Sequence, residues 1–171
     1  MRLNEKVYLE DHNDGWQDDF INEVRKCKEK PSLSTLCYEH IGSTSIPGIK
    51  AKPIVDIMVG VEKYPPDEAV IEELEECGYR WMKEMSVSDR LYFIKRELKN
   101  FNIHVIAYKS TIWKNNLSFR NYLLTHPEDA QRYSCLKEKI VSNGTETLLE
   151  YSKQKAAFIE ELYRKIESEA G

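Results

Sequence analysis

Three observations predict an α+β domain, with helices layered on a mixed β-sheet. Apolar runs of strand length gather in the middle of the chain, between about residues 33 and 109. Amphipathic stretches of helical length stand before and after them, the later ones filling a helical part from about 110 to 169. The last two strand-like runs are joined by only a short polar turn, which makes them an antiparallel hairpin. The 171 residues suit one domain, spanning 1–171, with a core of useful size.

The first helix is expected between Asp14 and Lys30. Trp16, Phe20, Val24 and Cys27 recur at spacings of four and three, one apolar stripe with charges opposite, and Pro31 and Ser32 end it. "LCYEHI" (36–41) reads as a short strand, and "PIVDIMVGV" (53–61) as a buried one. Asp67 caps a helix over "DEAVIEELEECG", closed by Gly78. "LYFIKRE" (91–97) and "FNIHVIAY" (101–108) form the hairpin around "LKN". Helical character then takes over. "STIWKNNLSFRNYLLTHP" comes first. A second helix starts at Pro127, a residue suited to a first turn, and runs to Gly144. A last helix opens at Thr145 and Glu146 and continues to about Glu169, with a stripe of Leu149, Ala156, Ile159, Leu162 and Ile166.

Composition narrows the function classes. A net charge of -4 and a sequence pI of about 5.7 give no basic face for nucleic acid, so none is expected as a partner. Mean hydropathy is -0.60, and no apolar run approaches the roughly 20 residues of a membrane span. The N-terminus carries no apolar signal region, which points to a cytoplasmic protein. Cys27, Cys37, Cys77 and Cys135 are scattered without a CxxC pair and read as reduced, mostly buried thiols.

Chemistry concentrates in "HIGSTSIPGIKAKPIVDIMV", His40 to Val59. Gly42 permits backbone angles and close approaches that a side chain forbids. Ser43, Thr44 and Ser45 add hydroxyls and N–H groups, which suit either a plain polar turn or a cradle for an anion. Asp56 interrupts an apolar strand. Alternation puts Ile54, Asp56 and Met58 on one side, and a carboxylate there needs a charged partner, a metal or a pocket. Lys52, Arg90 and Arg120 are the candidates for a simple ion pair. On the later strand, Asn102, His104 and Ile106 share a face. Asp56 and His104 are therefore the candidate catalytic pair. Asp56, His104 and Asn102, with Glu39 or His40 beside the loop, are a mixed nitrogen–oxygen set better suited to Zn²⁺, Mn²⁺ or Ni²⁺ than to Mg²⁺. The same residues also form a plausible hydrogen-bonded Asp–His pair without metal.

"EHIGSTSIPGIKAKPIVDIMV", Gly78-Tyr79, "NIHVI", "LSFRNYLLTHPEDAQRYSCLK" and "YSKQKAAFI" stand in the order and register of the GrpB family, and the chain resembles that family from about Val7 to Ile166. The glycine-serine turn followed by a strand aspartate is similar to the nucleotidyltransferase signature of the DNA polymerase β-like superfamily. That resemblance implies a nucleotidyltransferase-like fold, with Gly42, Ser43 and Thr44 on the phosphates of a nucleotide or other phosphorylated small molecule. It also implies a divalent metal (Mg, Mn or Zn) on the strand carboxylate. The family pattern retains a lysine and an arginine at Lys52 and Arg120, and these become candidate phosphate ligands. Lys137, Tyr151 and Lys155 match its C-terminal helices and either close over the pocket or only pack. GrpB members stand alone or fused to dephospho-CoA kinase, which implies a link to CoA metabolism. Active transferases pair two carboxylates on one strand. Here Met58 occupies the second position, and Asn102 stands where the family usually has the first histidine of His-x-His. The readings are thus a nucleotidyl transferase with a degenerate metal site, a non-catalytic nucleotide or CoA-like binding module, or a metal-dependent hydrolase using Asp56 and His104.

Overall fold

In the computed structural model, which describes residues 5–171, the elements follow the predicted order with small boundary shifts. Helix α1 spans Gly15–Cys27, strand β1 Cys37–Ile41, strand β2 Val55–Val61 and helix α2 Glu68–Glu76. Strands β3 (Arg80–Trp81), β4 (Arg90–Arg96) and β5 (Asn100–Ala107) follow, then helices α3 (Thr111–Thr125), α4 (Pro127–Ser142) and α5 (Leu148–Ala170). The sheet order is β1-β2-β5-β4-β3. β2 and β5 run parallel, and the other neighbours run antiparallel, including the β4–β5 hairpin. The result is a mixed five-stranded sheet with helices, an α+β fold.

Strand parity decides what each face carries. Val55, Ile57 and Val59 of β2, Ile103 and Val105 of β5 and Phe93 of β4 pack against Trp16 of α1 and Val70 and Leu74 of α2. On the opposite face, Ile41, Met58 and Ile106 pack under Trp113 of α3. Gly60 is required there. A Cβ at that position would lie 2.8 Å from the Trp113 ring, so only glycine lets the indole rest on β2. Ser110 caps α3 by accepting from the Trp113 N–H at 3.3 Å. Pro127 takes the first position of α4, as its missing N–H allows.

A second apolar cluster joins the loop after β1 to the helical part. Ile46 and Ile49 bury against Tyr122 and Leu123 of α3, Tyr133 of α4 and Leu162 of α5. This contact pulls the loop across the sheet and holds it under the last two helices.

Several expectations are corrected. The last helix is capped by Thr147 rather than opened at Thr145, and Thr145 instead accepts a hydrogen bond from Gln154. Its buried side runs through Leu148, Tyr151 and Leu162, while Leu149 and Ala156 face solvent. The cysteines are not mostly buried. Cys27 is, Cys77 is half-buried beside it, and Cys37 and Cys135 are exposed. Strand β3, only two residues long, was not anticipated.

Glu23 of α1 is a buried charge in the first cluster's layer, 3% exposed. It accepts from Lys95 Nζ and from the Tyr79 hydroxyl, both at 3.0 Å. Removing one member of such a buried set leaves the other charge stranded, at a cost of about 3–5 kcal/mol. Glu23→Ala is therefore expected to lower unfolding free energy by that amount in a urea titration, with Glu23→Gln, which keeps the hydrogen bonds, losing clearly less.

Candidate anion site

The turn after β1 is built around Gly42. Its φ of 73° and ψ of -178° belong to a region open essentially only to glycine. A Cβ there would stand 2.7 Å from Asp56 Oδ2, so the turn lies directly against the carboxylate. Ser45 closes the turn through its N–H and hydroxyl, both donating to the Gly42 carbonyl at 3.1 and 2.6 Å.

Asp56 is where strand parity predicts, paired in register with Asn102 of β5. Asn102 Nδ2 donates to Asp56 Oδ1 at 2.8 Å, and His104 Nε2 lies 3.2 Å from the same oxygen. Arg96 of β4 fixes the amide. It donates to Asn102 Oδ1 at 2.9 Å, which turns the amide's NH₂ toward Asp56. Burial pushes the Asp56 carboxyl up, but hydrogen bonds from His104 and Asn102 and the charges of His104 and Lys52 outweigh it and hold the pKa below its usual range.

These three residues meet through hydrogen bonds. Asn102 points donors, not its oxygen, at the shared space, and the oxygen is committed to Arg96. Among the described residues no three His, Cys, Asp or Glu side chains converge as a metal-binding group. Met58, at the position of a second carboxylate, is fully buried in the Trp113 cluster. His40 does not reach the site. It lies on the α1 face, bonded to Gln17 and to Thr44 at 2.9 Å each and stacked on Phe20, with burial driving its pKa down to about 4. Glu39 is taken by Arg120, whose Nη1 donates to Glu39 Oε2 at 2.7 Å and to the His40 carbonyl at 3.0 Å. Arg120 thus ties α3 to β1 and does not line the cavity at the turn. Arg90 lies elsewhere too, donating to the Met85 carbonyl.

What lines that cavity, besides Gly42, Ser43, Thr44 and Asp56, is Lys52 from the loop, Tyr133 from α4 and Tyr151 and Lys155 from α5. Its volume is about 110 Å³. Lys52 and Lys155 stand 5.5 and 4.4 Å from the centre of the Tyr151 ring, and neither makes a salt bridge among the described residues. Lys137 of α4 adds a third ammonium behind the turn, bonded to Ser43 Oγ at 3.0 Å and to the Lys50 carbonyl. Burial, then mutual repulsion, lowers Lys52 to about 8 and Lys137 to about 7. Burial also brings Lys155 to about 8. Larger hollows of about 510 and 260 Å³ lie beside α2 and beside α1, away from this convergence of charge.

The family model described as "GrpB protein" matches residues 6–165, which include every residue of the cavity. The chain belongs to the GrpB family. Its relatives include the glutamate-rich protein GrpB of Alkalihalophilus pseudofirmus, 32% identical over 92% of this chain and 94% of that one. The UPF0157 protein YqkA of Bacillus subtilis is 29% identical over 90% of this chain, but only 45% of its own length is covered. Among solved structures, a crystal structure of the conserved protein GrpB from Enterococcus faecalis is 30% identical. It covers 95% of this chain and 99% of that chain with a TM-score of 0.83. The α+β fold is thus that of a GrpB structure. No helix among the described residues is long and apolar enough to cross a membrane.

Lys137, Lys155, Tyr133, Tyr151 and Arg96 were the residues hardest to place from sequence. The helical ones matched a family pattern, but their meeting point depends on how α4 and α5 dock. Arg96 reads as an ordinary charge at the end of a hairpin strand.

Proposed function

We propose that this GrpB protein binds a phosphorylated small molecule, a nucleotide or a CoA-like compound, through one phosphate group held at the Gly42–Thr44 turn. The observation that carries the reading is the gathering of Lys52 and Lys155 on a cavity whose one carboxylate, Asp56, is already engaged by Asn102 and His104. Desolvation disfavours both ammonium groups, and an anion bound between them offsets that cost. The volume suits a single phosphate-sized group, well below the roughly 300–1,000 Å³ of a cavity that encloses a whole drug-sized ligand. The rest of the ligand extends outward.

The glycine-serine turn beside a strand aspartate supports a likeness to polymerase β-like nucleotidyltransferases. In those sites, metal held by paired carboxylates neutralises the phosphates. Here hydrocarbon fills the second carboxylate's place and lysines bring the positive charge. The Asp56–His104 pair favours nucleotidyl transfer as a second reading, in which Asp56 acts on the reacting group.

Calorimetric titration of ATP, CoA and pyrophosphate separates the two. For a binding module, Asp56→Asn removes a negative charge from a cationic cavity, so pyrophosphate affinity is expected to rise about 3- to 10-fold, the effect of about 1 kcal/mol. A fall in affinity, or no binding of any of the three compounds by the unaltered protein, sinks the binding reading. Release of pyrophosphate from an NTP that disappears in Asp56→Asn establishes transfer.

A further inference from the structure

We infer that Ser43 and Lys137 form a nucleophile–base dyad, with Ser43 attacking the phosphorus of a phosphate ester or anhydride seated in the cavity. The inference rests on the phosphate reading above and adds a covalent step that neither Asp56 nor a metal supplies.

The geometry has the parts such a dyad needs. Ser43 Oγ and Lys137 Nζ are 3.0 Å apart. Lys137 is 1% exposed and lies beyond salt-bridge reach of any carboxylate among the described residues, so nothing pins it in the charged form. Its second bond, to the Lys50 carbonyl, is one that a neutral amine also donates. As an ammonium, Nζ donates to both the Ser43 hydroxyl and the Lys50 carbonyl; once it loses a proton it keeps the bond to the carbonyl and offers its lone pair to the serine proton. The Tyr133 hydroxyl is within hydrogen-bonding reach of the Ser43 side chain. On its far side Ser43 lines the cavity, opposite Lys52 and Lys155. The other two hydroxyls of the turn are otherwise committed, Thr44 to His40 and Ser45 to the Gly42 carbonyl. Ser43 alone in the turn joins a base on one side to a cationic chamber on the other.

The step balances without a redox partner. The Ser43 proton passes to neutral Lys137, the Oγ–P bond forms, and the bond from phosphorus to the leaving oxygen breaks. The leaving oxygen departs on the cavity side as an anion, and the proton stays on Lys137. Lys52 and Lys155 face the non-bridging oxygens, where the charge lies. Water then attacks that phosphorus from the cavity side, giving its proton to solvent, and Ser43 Oγ departs with the proton held by Lys137. The charged and titratable groups facing Lys137 are Lys52 from the loop, Lys155 from α5, and Glu138 and Tyr133 from α4 itself. The two lysines disfavour a further positive charge and so keep the amine available as a base at neutral pH.

A fluorophosphonate probe tests this directly, since attack on its phosphorus expels fluoride and leaves a stable adduct. Intact-protein and peptide mass spectrometry are expected to find the adduct on Ser43, absent in Ser43→Ala and formed at least tenfold more slowly in Lys137→Met. Lys137→Arg, which cannot lose its proton, should not rescue it. In the unaltered protein the labelling rate should rise between about pH 6 and pH 8 and then level, following loss of the Lys137 proton near 7. Pyrophosphate should slow it. Thermal melts of each variant verify folding, and the pH profile needs no variant. No adduct on Ser43, a flat pH profile, or unchanged labelling in folded Lys137→Met overturns the dyad. If pyrophosphate still binds calorimetrically, the phosphate reading survives that result. An adduct on Ser43 that pyrophosphate does not slow supports the dyad and counts against the phosphate reading.

Discussion

Replacing both Lys52 and Lys155 with methionine is expected to abolish measurable pyrophosphate binding while making the unliganded protein harder to melt. Each lysine offers a charge-assisted hydrogen bond to an anion, worth about 1.5–3 kcal/mol. Losing one therefore weakens affinity roughly 10- to 100-fold, and losing both multiplies the losses unless the sites couple. The stability change has the opposite sign. Both side chains are held against Tyr151 with depressed pKa values of about 8, against an ordinary 10.5, because burial disfavours the ammonium. A lysine whose folded pKa is lowered binds fewer protons folded than unfolded over the interval between the two values. Stability therefore rises with pH from about 8 towards 10.5, and the penalty is fully present below 8. Methionine keeps much of the length and removes the charge. A gain of about 1–2 kcal/mol at pH 7, or a melting temperature roughly 2–8 °C higher, is expected for a chain of this size. The difference should fade as the pH is raised to 10. A double variant that binds pyrophosphate as well as the parent, or that melts lower at pH 7, contradicts this account of the cavity.

Gly42→Ala is expected to be the most damaging single-methyl change in the turn. The backbone conformation itself excludes a side chain, which costs about 1–3 kcal/mol. The added carbon also meets Asp56 Oδ2 at 2.7 Å and its Cβ at 3.2 Å. Asp56 cannot easily give way, because Asn102 and His104 hold its other oxygen. A total loss of roughly 3–5 kcal/mol follows, in the range reserved for strain at special backbone positions. A double-mutant cycle apportions it. Asp56→Ala removes the carboxylate that clashes at 2.7 Å but keeps its Cβ and the backbone strain, so Gly42→Ala should cost about 1 kcal/mol less in that background. Equal costs in the two backgrounds would mean that turn and carboxylate are not in contact.

Much of the sheet was legible because strands alternate. Asp56 and Met58 share one face of β2, and Asn102 and His104 one face of β5, for reasons of parity alone; the parallel β2–β5 register then brings the two pairs onto the same face, with Asp56 opposite Asn102. The hairpin followed from its short turn. The slip in α5 has a simple cause. The helix docks on the side of Leu148, Tyr151 and Leu162, one residue round from Leu149, so Tyr151 rather than Ala156 enters the core. The cation cluster was less accessible, since Lys52, Lys137 and Lys155 come from a loop and two helices with no common period. Arg120 shows the opposite error. An arginine retained by a family pattern bonds to Glu39 and the His40 carbonyl of β1 rather than lining the cavity at the turn.

The composition of the cavity also bears on the order in which the chain can be completed during synthesis. Gly42, Lys52 and Asp56 leave the ribosome long before Tyr151 and Lys155, which ride on the final helix. Until that helix docks, Lys52 lacks the crowding that Lys155 adds to it. Electrostatic crowding is loaded at the last docking event, so an anion already resting on the nascent turn would ease the closing of the fold.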